Sequence, residues 1–513
     1  MNAPKTKASL PRQTNMLKPD ADVIVIGAGP AGMSAAVELA SAGCAVIVLD
    51  MQPTPGGQIF RALESNDHDR PATDTLLDAL GPTYSAGIDL LRRFRATPGI
   101  DYRPLTTVWD LRSDGTVGWL KDDLAGYLRA PHVILANGAM ERPVPFPGWT
   151  LPGVMTAGAV QTLLKAGRLQ PVGRIVMVGT GPLIFLLADQ LRRLGVKPAL
   201  IGRTDGIKDK LRALAHIRPA TVPALTKGLK WLAKLRLAGV PMLTGVSSLR
   251  AEGVDHVQSV SLTIGDTVRV MDCDLLVVHD GIVPSIDLAH GAGLALEWRD
   301  VDGSWRPRTG LDGLAQLVPG PSLTRGDCRI RISGDARQVG GADAAIAHGR
   351  HVARSILSAR DLTLVDAGAT DETAAQVHRT LASRPFIDIA FPPGLSVQLP
   401  DDNTIVCRCE EISAGTLRQK ISEGVADMNQ LRGTLRCGMG PCQGRSCTIS
   451  VARLLAEGNT QSKSYPVPFT SRPPLRPLPL GALASLVGVD PELTQVTGHA
   501  DKPTITVEDN DHA

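Results

Sequence analysis

Five of the eight cysteines fall within residues 405–447. Cys407 and Cys409 stand one residue apart, and Cys442 and Cys447 form a second close pair. Between the pairs runs a short helical pattern over 413–423, with Leu417 and Ile421 on one face. Two thiol pairs joined by a small helical spacer can make a four-thiolate cage, and thiolates suit a [2Fe–2S] cluster or zinc. Zinc sites usually space a pair by about two to four residues. The tighter Cys-x-Cys pair therefore favours iron–sulfur over zinc, with disulfides last. Gly438, Gly440 and Gly444 let backbone N–H groups approach the cluster sulfurs and tune their potential. Cys437 is a fifth thiol, either an alternative to Cys442 or Cys447 or a small buried residue.

A second kind of chemistry is written in glycines. The apolar run over 22–26 breaks into Gly27-Ala-Gly29-Pro30-Ala31-Gly32 and then into an Ala-rich helix. Gly27 makes the tight turn, Gly29 lets backbone approach a pyrophosphate, and Gly32 lets helix and strand pack closely. The helix N-terminus adds the positive end of a dipole. A second strand over 44–49 ends on Asp50, where a carboxylate meets an adenine ribose, with Met51 beside it. Strand, glycine turn, helix and terminal acid in register predict a dinucleotide site. The plain alternative is a degenerate Rossmann unit, and for the later Asp335 an ordinary helix N-cap.

A weaker echo opens at residue 174. Gly179-Thr-Gly181 follows a strand pattern, but bulky Ile184 replaces the third glycine and the next strand ends on Arg203 without an acid. Both departures argue against NAD(P), although Arg203 could meet a 2′-phosphate. Residues 206–240, rich in Lys, Arg and Leu, read as an amphipathic helical insertion with a solvated charged face. His279 and His348 lie near the nucleotide motifs but have no visible partner, and Cys44, Cys273 and Cys328 read as core.

These elements need a chain of about three domains, and 513 residues supply it. A net charge of +3 and 3% aromatics argue against a nucleic-acid surface. Crowded cysteines in so long a chain point to metal in a reducing compartment rather than a disulfide framework. With no signal-peptide or spanning pattern, the expectation is a cytoplasmic protein, peripheral to the inner membrane at most through partners.

Cys407-Arg-Cys409-Glu-Glu and Gly438-Met-Gly-Pro-Cys442-Gln-Gly-Arg-Ser-Cys447 resemble the BFD-like [2Fe–2S] domain. The similar version is fused to flavoprotein subunits of opine oxidases, hydroxyproline and proline dehydrogenases, hydrogen cyanide synthase and anaerobic glycerol-3-phosphate dehydrogenase. By that resemblance the ligands are Cys407, Cys409, Cys442 and Cys447. Gly57-Gln58 resembles the turn that faces the flavin in two-dinucleotide flavoproteins. Ala136-Asn137-Gly138 resembles their crossover motif, with Asn137 in place of the usual Thr. Gly334-Asp335 resembles the closing FAD motif of the glutathione-reductase-like class, and residues 278–284 resemble the strand leading back to the FAD domain.

The resemblance spans residue 22 to about 485 and implies an α/β, two-dinucleotide-binding-domain flavoprotein with a small C-terminal BFD-like domain. The expected order is a flexible arm (1–20), a split FAD domain (21–145 and 285–360), a second Rossmann-like domain (146–284), a linker (361–403), the iron–sulfur domain (404–458) and a proline-rich extension (459–513). The extension is expected to pack on the flavin half or on a partner, with its end disordered. The implied function is the alpha subunit of a heteromeric amine dehydrogenase carrying FAD, [2Fe–2S] and FMN at the subunit interface. A D-amino-acid-oxidase-like FAD beta subunit then oxidises an opine, hydroxyproline or proline, and a downstream acceptor takes the electrons. The alternatives are a self-contained NAD(P)H-dependent reductase, a zinc-filled regulatory subunit, or a hydrogen cyanide synthase component with glycine as substrate. No catalytic acid–base constellation stands out in this chain.

Overall fold

The computed structural model describes residues 19–70, 72–318, 329–359, 367–395, 399–458 and 465–486. Most of the expected N-terminal arm, the chain end beyond 486 and Cys328 lie outside them.

Short runs of β-branched residues make the first sheet. Val23–Ile26 and Val46–Leu49 are buried on both faces, as parallel strands covered by helices must be. The sheet runs Arg329–Ile332, His132–Leu135, Val23–Ile26, Val46–Leu49, Ile100–Arg103, all parallel. Its outer strand thus comes from 197 residues downstream of its neighbour, which makes the unit discontinuous in sequence. One face carries the helices Pro30–Ser41 and Ala342–Ala359, and their apolar sides fuse into one core with Val25, Val48 and Ile134. A three-stranded antiparallel sheet, Thr107–Leu111, Thr116–Lys121 and Leu124–Arg129, closes the other face.

The second parallel sheet runs Met242–Thr244, Leu200–Arg203, Ile175–Gly179, Leu275–His279, Val154–Thr156. Ala139–Glu141 pairs antiparallel with Ile282–Pro284 as the double crossing between the two halves. Ile184 is fully buried in the core on one face of this sheet. The basic region contains two helices, Ile207–Leu214 and Val222–Leu237.

Residues 367–395 are more structured than a punctuated linker. Ala367–Leu381 packs on Ala342–Ala359, and Arg384–Ala390 packs on Ile207–Leu214. The cysteine segment folds as a small hairpin, Ile405–Cys407 with Ile412–Ser413, and three helices. Its spacer helix, Ala414–Ser422, starts where Ser413 accepts a hydrogen bond from Thr416 N at 3.2 Å. The second of these helices, Met428–Leu435, is capped by Asp427, which accepts from Asn429 N at 2.8 Å and Gln430 N at 2.9 Å.

The proline-rich extension lies along the flavin half. Leu475 is 3% exposed, donates its backbone N–H to Trp109 O at 2.8 Å and joins the lower core, while Arg476 pairs with Asp287 at 2.5 Å. No helix among the described residues is long and apolar enough to cross a membrane.

Candidate functional site

The first glycine loop sits at the carboxyl end of its sheet, where open α/β sheets take ligands. Gly27 has φ +104°, and a Cβ there would fall 2.5 Å from Ala136 O, so the turn needs glycine. Gly32 is tighter still, 1.9 Å from Gly27 O. Gly29 precedes the helix with Pro30 in its first turn and no side-chain cap, leaving that turn's N–H groups for a ligand. Gly57 lies against Gly29: its Cβ would come 2.9 Å from Gly29 Cα. Asp50 closes the loop, accepting from Ala28 N at 2.5 Å and Gln52 N at 2.7 Å. Burial raises its carboxyl above the usual range, opposed by those two bonds and by Arg61.

Twelve of the fourteen nucleotide-motif residues line one cavity of about 1430 Å³. These are Gly27, Gly29, Pro30, Ala31, Asp50, Met51, Gly57, Gln58, Ala136, Asn137, Gly138 and Asp335. Gly32 and Gly334 lie behind its wall, Gly334 packed so closely that its Cβ would sit 2.6 Å from Ala31 Cβ. Asp335 accepts from Gly340 N at 2.9 Å and Gly341 N at 3.3 Å through one oxygen. It therefore fastens the loop before Ala342–Ala359 as well as facing the cavity. His348 has a positional role, with Nδ1 accepting from Gly334 N at 3.2 Å and Nε2 facing Leu311 O at 3.0 Å. Asn137 donates to Ser285 O at 3.1 Å, and its buried Oδ1 has no protein partner. An orphaned acceptor on the wall, a glycine cradle and an acid at the strand end fit a dinucleotide flavin.

Three groups on this wall escape local sequence reasoning. Lys165 donates to Ile59 O at 3.0 Å, Gln58 O at 3.2 Å and Gln161 Oε1 at 2.9 Å, tying the second half to the 57–59 turn. Burial, then Arg61, pushes its ammonium down to about 7. It lies in the π-helical turn Leu163–Gly167, a distortion often found at functional sites. Glu141 meets His279 Nδ1 at 2.6 Å and accepts from Gly158 N at 2.6 Å, stitching the crossing strands to the next helix. Finally, Lys227, Lys230, Trp231 and Lys234 fall on one helical face and line a mouth of the cavity with Arg193. The basic face is thus both solvent-exposed and part of the cavity rim.

The same cavity is also lined by Arg408, Cys442 and residues 443–446. Behind them the Sγ atoms of Cys407, Cys437 and Cys447 lie within 4.8 Å of one another, all buried. Cys409 and Cys442 are mutual neighbours nearer the surface. The thiols of Cys437 and Cys447 turn toward Cys407 and hold it well below the usual thiol range. Five thiols are therefore neighbours, and it is Cys437, rather than Cys409 or Cys442, that completes the buried set with Cys407 and Cys447. Phe469 of the extension seats against the glycines of the loop: a Cβ at Gly438 would lie 2.9 Å from its ring. A buried, crowded thiol set with a glycine-rich loop fits a thiolate-ligated cluster. Cys44 and Cys273 are buried core residues, apart from it.

Comparison with known proteins agrees with this geometry. Residues 21–306 match the Pyridine nucleotide-disulphide oxidoreductase family, and residues 405–457 match the BFD-like [2Fe-2S] binding domain. The chain is 38% identical to the A subunit of opine oxidase from Agrobacterium tumefaciens, over 93% of this chain and 94% of that one. It is 31% identical to the HcnB subunit of hydrogen cyanide synthase from Pseudomonas aeruginosa, over 83% and 90% respectively. L-proline dehydrogenase of P. horikoshii has the same fold, with TM-score 0.63 at 18% identity, over 90% of this chain and 79% of that one. The chain belongs to the pyridine nucleotide-disulphide oxidoreductase family and, within it, to the flavin and iron–sulfur oxidoreductase subunits that include the A subunit of opine oxidase.

Proposed function

We propose that this chain is the electron-transferring subunit of a heteromeric dehydrogenase acting on a secondary amine or amino acid of opine, hydroxyproline or proline type. The observation that carries the reading is one cavity lined both by the dinucleotide motifs and by Cys442 and its loop. A flavin supplies chemistry suited to that path, because it accepts a hydride yet can pass electrons singly to an iron–sulfur centre. Gly27, Gly29, Asp50 and Asp335 would hold an FAD, with Lys165 fixing the 57–59 turn beside it. Cys407, Cys409, Cys442 and Cys447 would hold the cluster, with Cys437 their rival.

The cavity exceeds the roughly 300–1,000 Å³ usual for one small-molecule site. Its lining arginines, Arg408, Arg445 and Arg476, offer cations for the phosphate of an FMN at a subunit interface. Substrate C–H cleavage would fall to a D-amino-acid-oxidase-like partner with its own FAD. Support for a partner comes from the relatives, which are named as subunits. Co-expression with such a chain, followed by anaerobic single-turnover mixing with opines, prolines and glycine, tests this. Bleaching of flavin and growth of a reduced-cluster EPR signal are expected only in the complex. Bleaching of the lone chain by NADH would support the self-contained reductase instead.

A further inference from the structure

The second glycine loop, 179–181, links Ile175–Gly179 to the helix Pro182–Arg193. In a parallel sheet a dinucleotide crosses the carboxyl ends of the strands at such a loop. Here the chain's own residues lie across those ends. Gly394 and Leu395 donate their backbone N–H groups to Asp280 Oδ1, at 2.8 and 3.0 Å. Asp280 follows the strand Leu275–His279 directly and is 1% exposed. On the other side Gly394 presses on Thr204, which follows Leu200–Arg203: a Cβ at Gly394 would fall 2.5 Å from Thr204 Cβ. Thr204 N in turn donates to Gly179 O at 3.1 Å. A segment that touches both strand ends and is tied through Thr204 to Gly179 lies where the pyrophosphate would run.

Its anchorage is substantial. Leu395 is 5% exposed and packs in one apolar cluster with Val178 and Val278. Lys210 donates to Ala390 O and stands 3.4 Å over the Phe391 ring. Arg203, the candidate for a 2′-phosphate, is engaged by Asp205, which Lys210 also pairs at 2.9 Å. The His279 ring borders the loop itself, its Nε2 3.6 Å from where a Cβ on Gly181 would be. Neither Gly179 nor Gly181 lines the large cavity.

We propose that residues 391–395 are a built-in strap occupying the second dinucleotide crevice, so that NADH and NADPH have no seat in this chain. The inference goes beyond the amine reading and does not depend on it. The test uses the full chain with its cofactors. Calorimetric titration with NADH and with NADPH to millimolar levels should show no saturable binding. Amide hydrogen exchange should show Gly394 and Leu395 protected, and Asp280→Asn should speed their exchange by about tenfold or more while distant strands keep their protection. Should Asp280→Asn fail to fold, the wild-type protein alone decides. Saturable binding of either nucleotide, or exchange of both amides at the rate of open chain, overturns the strap. Amine-driven reduction of the complex is read separately, so either idea can fall alone.

Discussion

At the residue scale the cysteine site poses the sharpest question, because five thiols converge where a [2Fe–2S] cluster needs four ligands. If Cys442 is the ligand, Cys437→Ser retains iron, sulfide and the reduced EPR signal, whereas Cys442→Ser loses them or shifts the g-values. The reverse pattern would assign the place to Cys437. Lys165 offers a test of electrostatics. Its ammonium titrates near 7 in the folded chain against 10.5 unfolded, so the unfolded state binds more protons between those values. Stability therefore rises with pH across that window, by up to about 1.4 kcal/mol per unit from this group. Below the folded value the full cost of a buried charge remains. Denaturation midpoints from pH 7 to 9 should climb in the wild-type chain and flatten in Lys165→Met. Equal slopes in both would show that the buried ammonium does not carry the effect.

At the scale of elements, the packing of helix on strand decides whether the nucleotide cradle exists. Gly32→Ala would drive a Cβ to 1.9 Å of the Gly27 carbonyl. The expected result is folded protein with flavin absorbance largely lost, or no soluble protein; a fully flavinated variant would contradict it. The spacer helix depends on its cap, so Ser413→Ala should cost about 1 kcal/mol, read as a lower denaturation midpoint of the cysteine domain. The extension is held by a buried side chain rather than by its prolines. Leu475→Ala should cost about 2–5 kcal/mol and make residues 465–486 more sensitive to protease. Unchanged cleavage would mean that Arg476–Asp287 and Phe469 suffice.

At the scale of the molecule, the domains are arranged around one cavity, and the tail and the 367–395 segment brace them. Leu475 packs on the flavin half, Phe469 on the cysteine loop, and Gly394 on the second sheet. Chelation of iron from the reduced protein should therefore abolish the cluster signal yet leave flavin absorbance, since the dinucleotide motifs share no ligand with the thiols. Parallel loss of both would show that the cluster domain holds the flavin half together.

The amino-acid sequence by itself determined what is local. A glycine turn, its strand and its terminal acid lie within about thirty residues, and the thiol pairs advertise a soft-metal site through spacing alone. The spacer helix is legible too, because Leu417 and Ile421 stand one turn apart on one face. The tertiary structure decided everything assembled across distance. Lys165 reaches Ile59 over 106 positions, Glu141 meets His279 over 138, and Asp280 meets Leu395 over 115. No periodicity records such contacts, because burial of a lone polar side chain is set by whichever segment folds over it. For the same reason the basic helix could be read as a charged face but not as a cavity wall, and the missing third glycine hinted at an idle nucleotide fold without revealing what fills it.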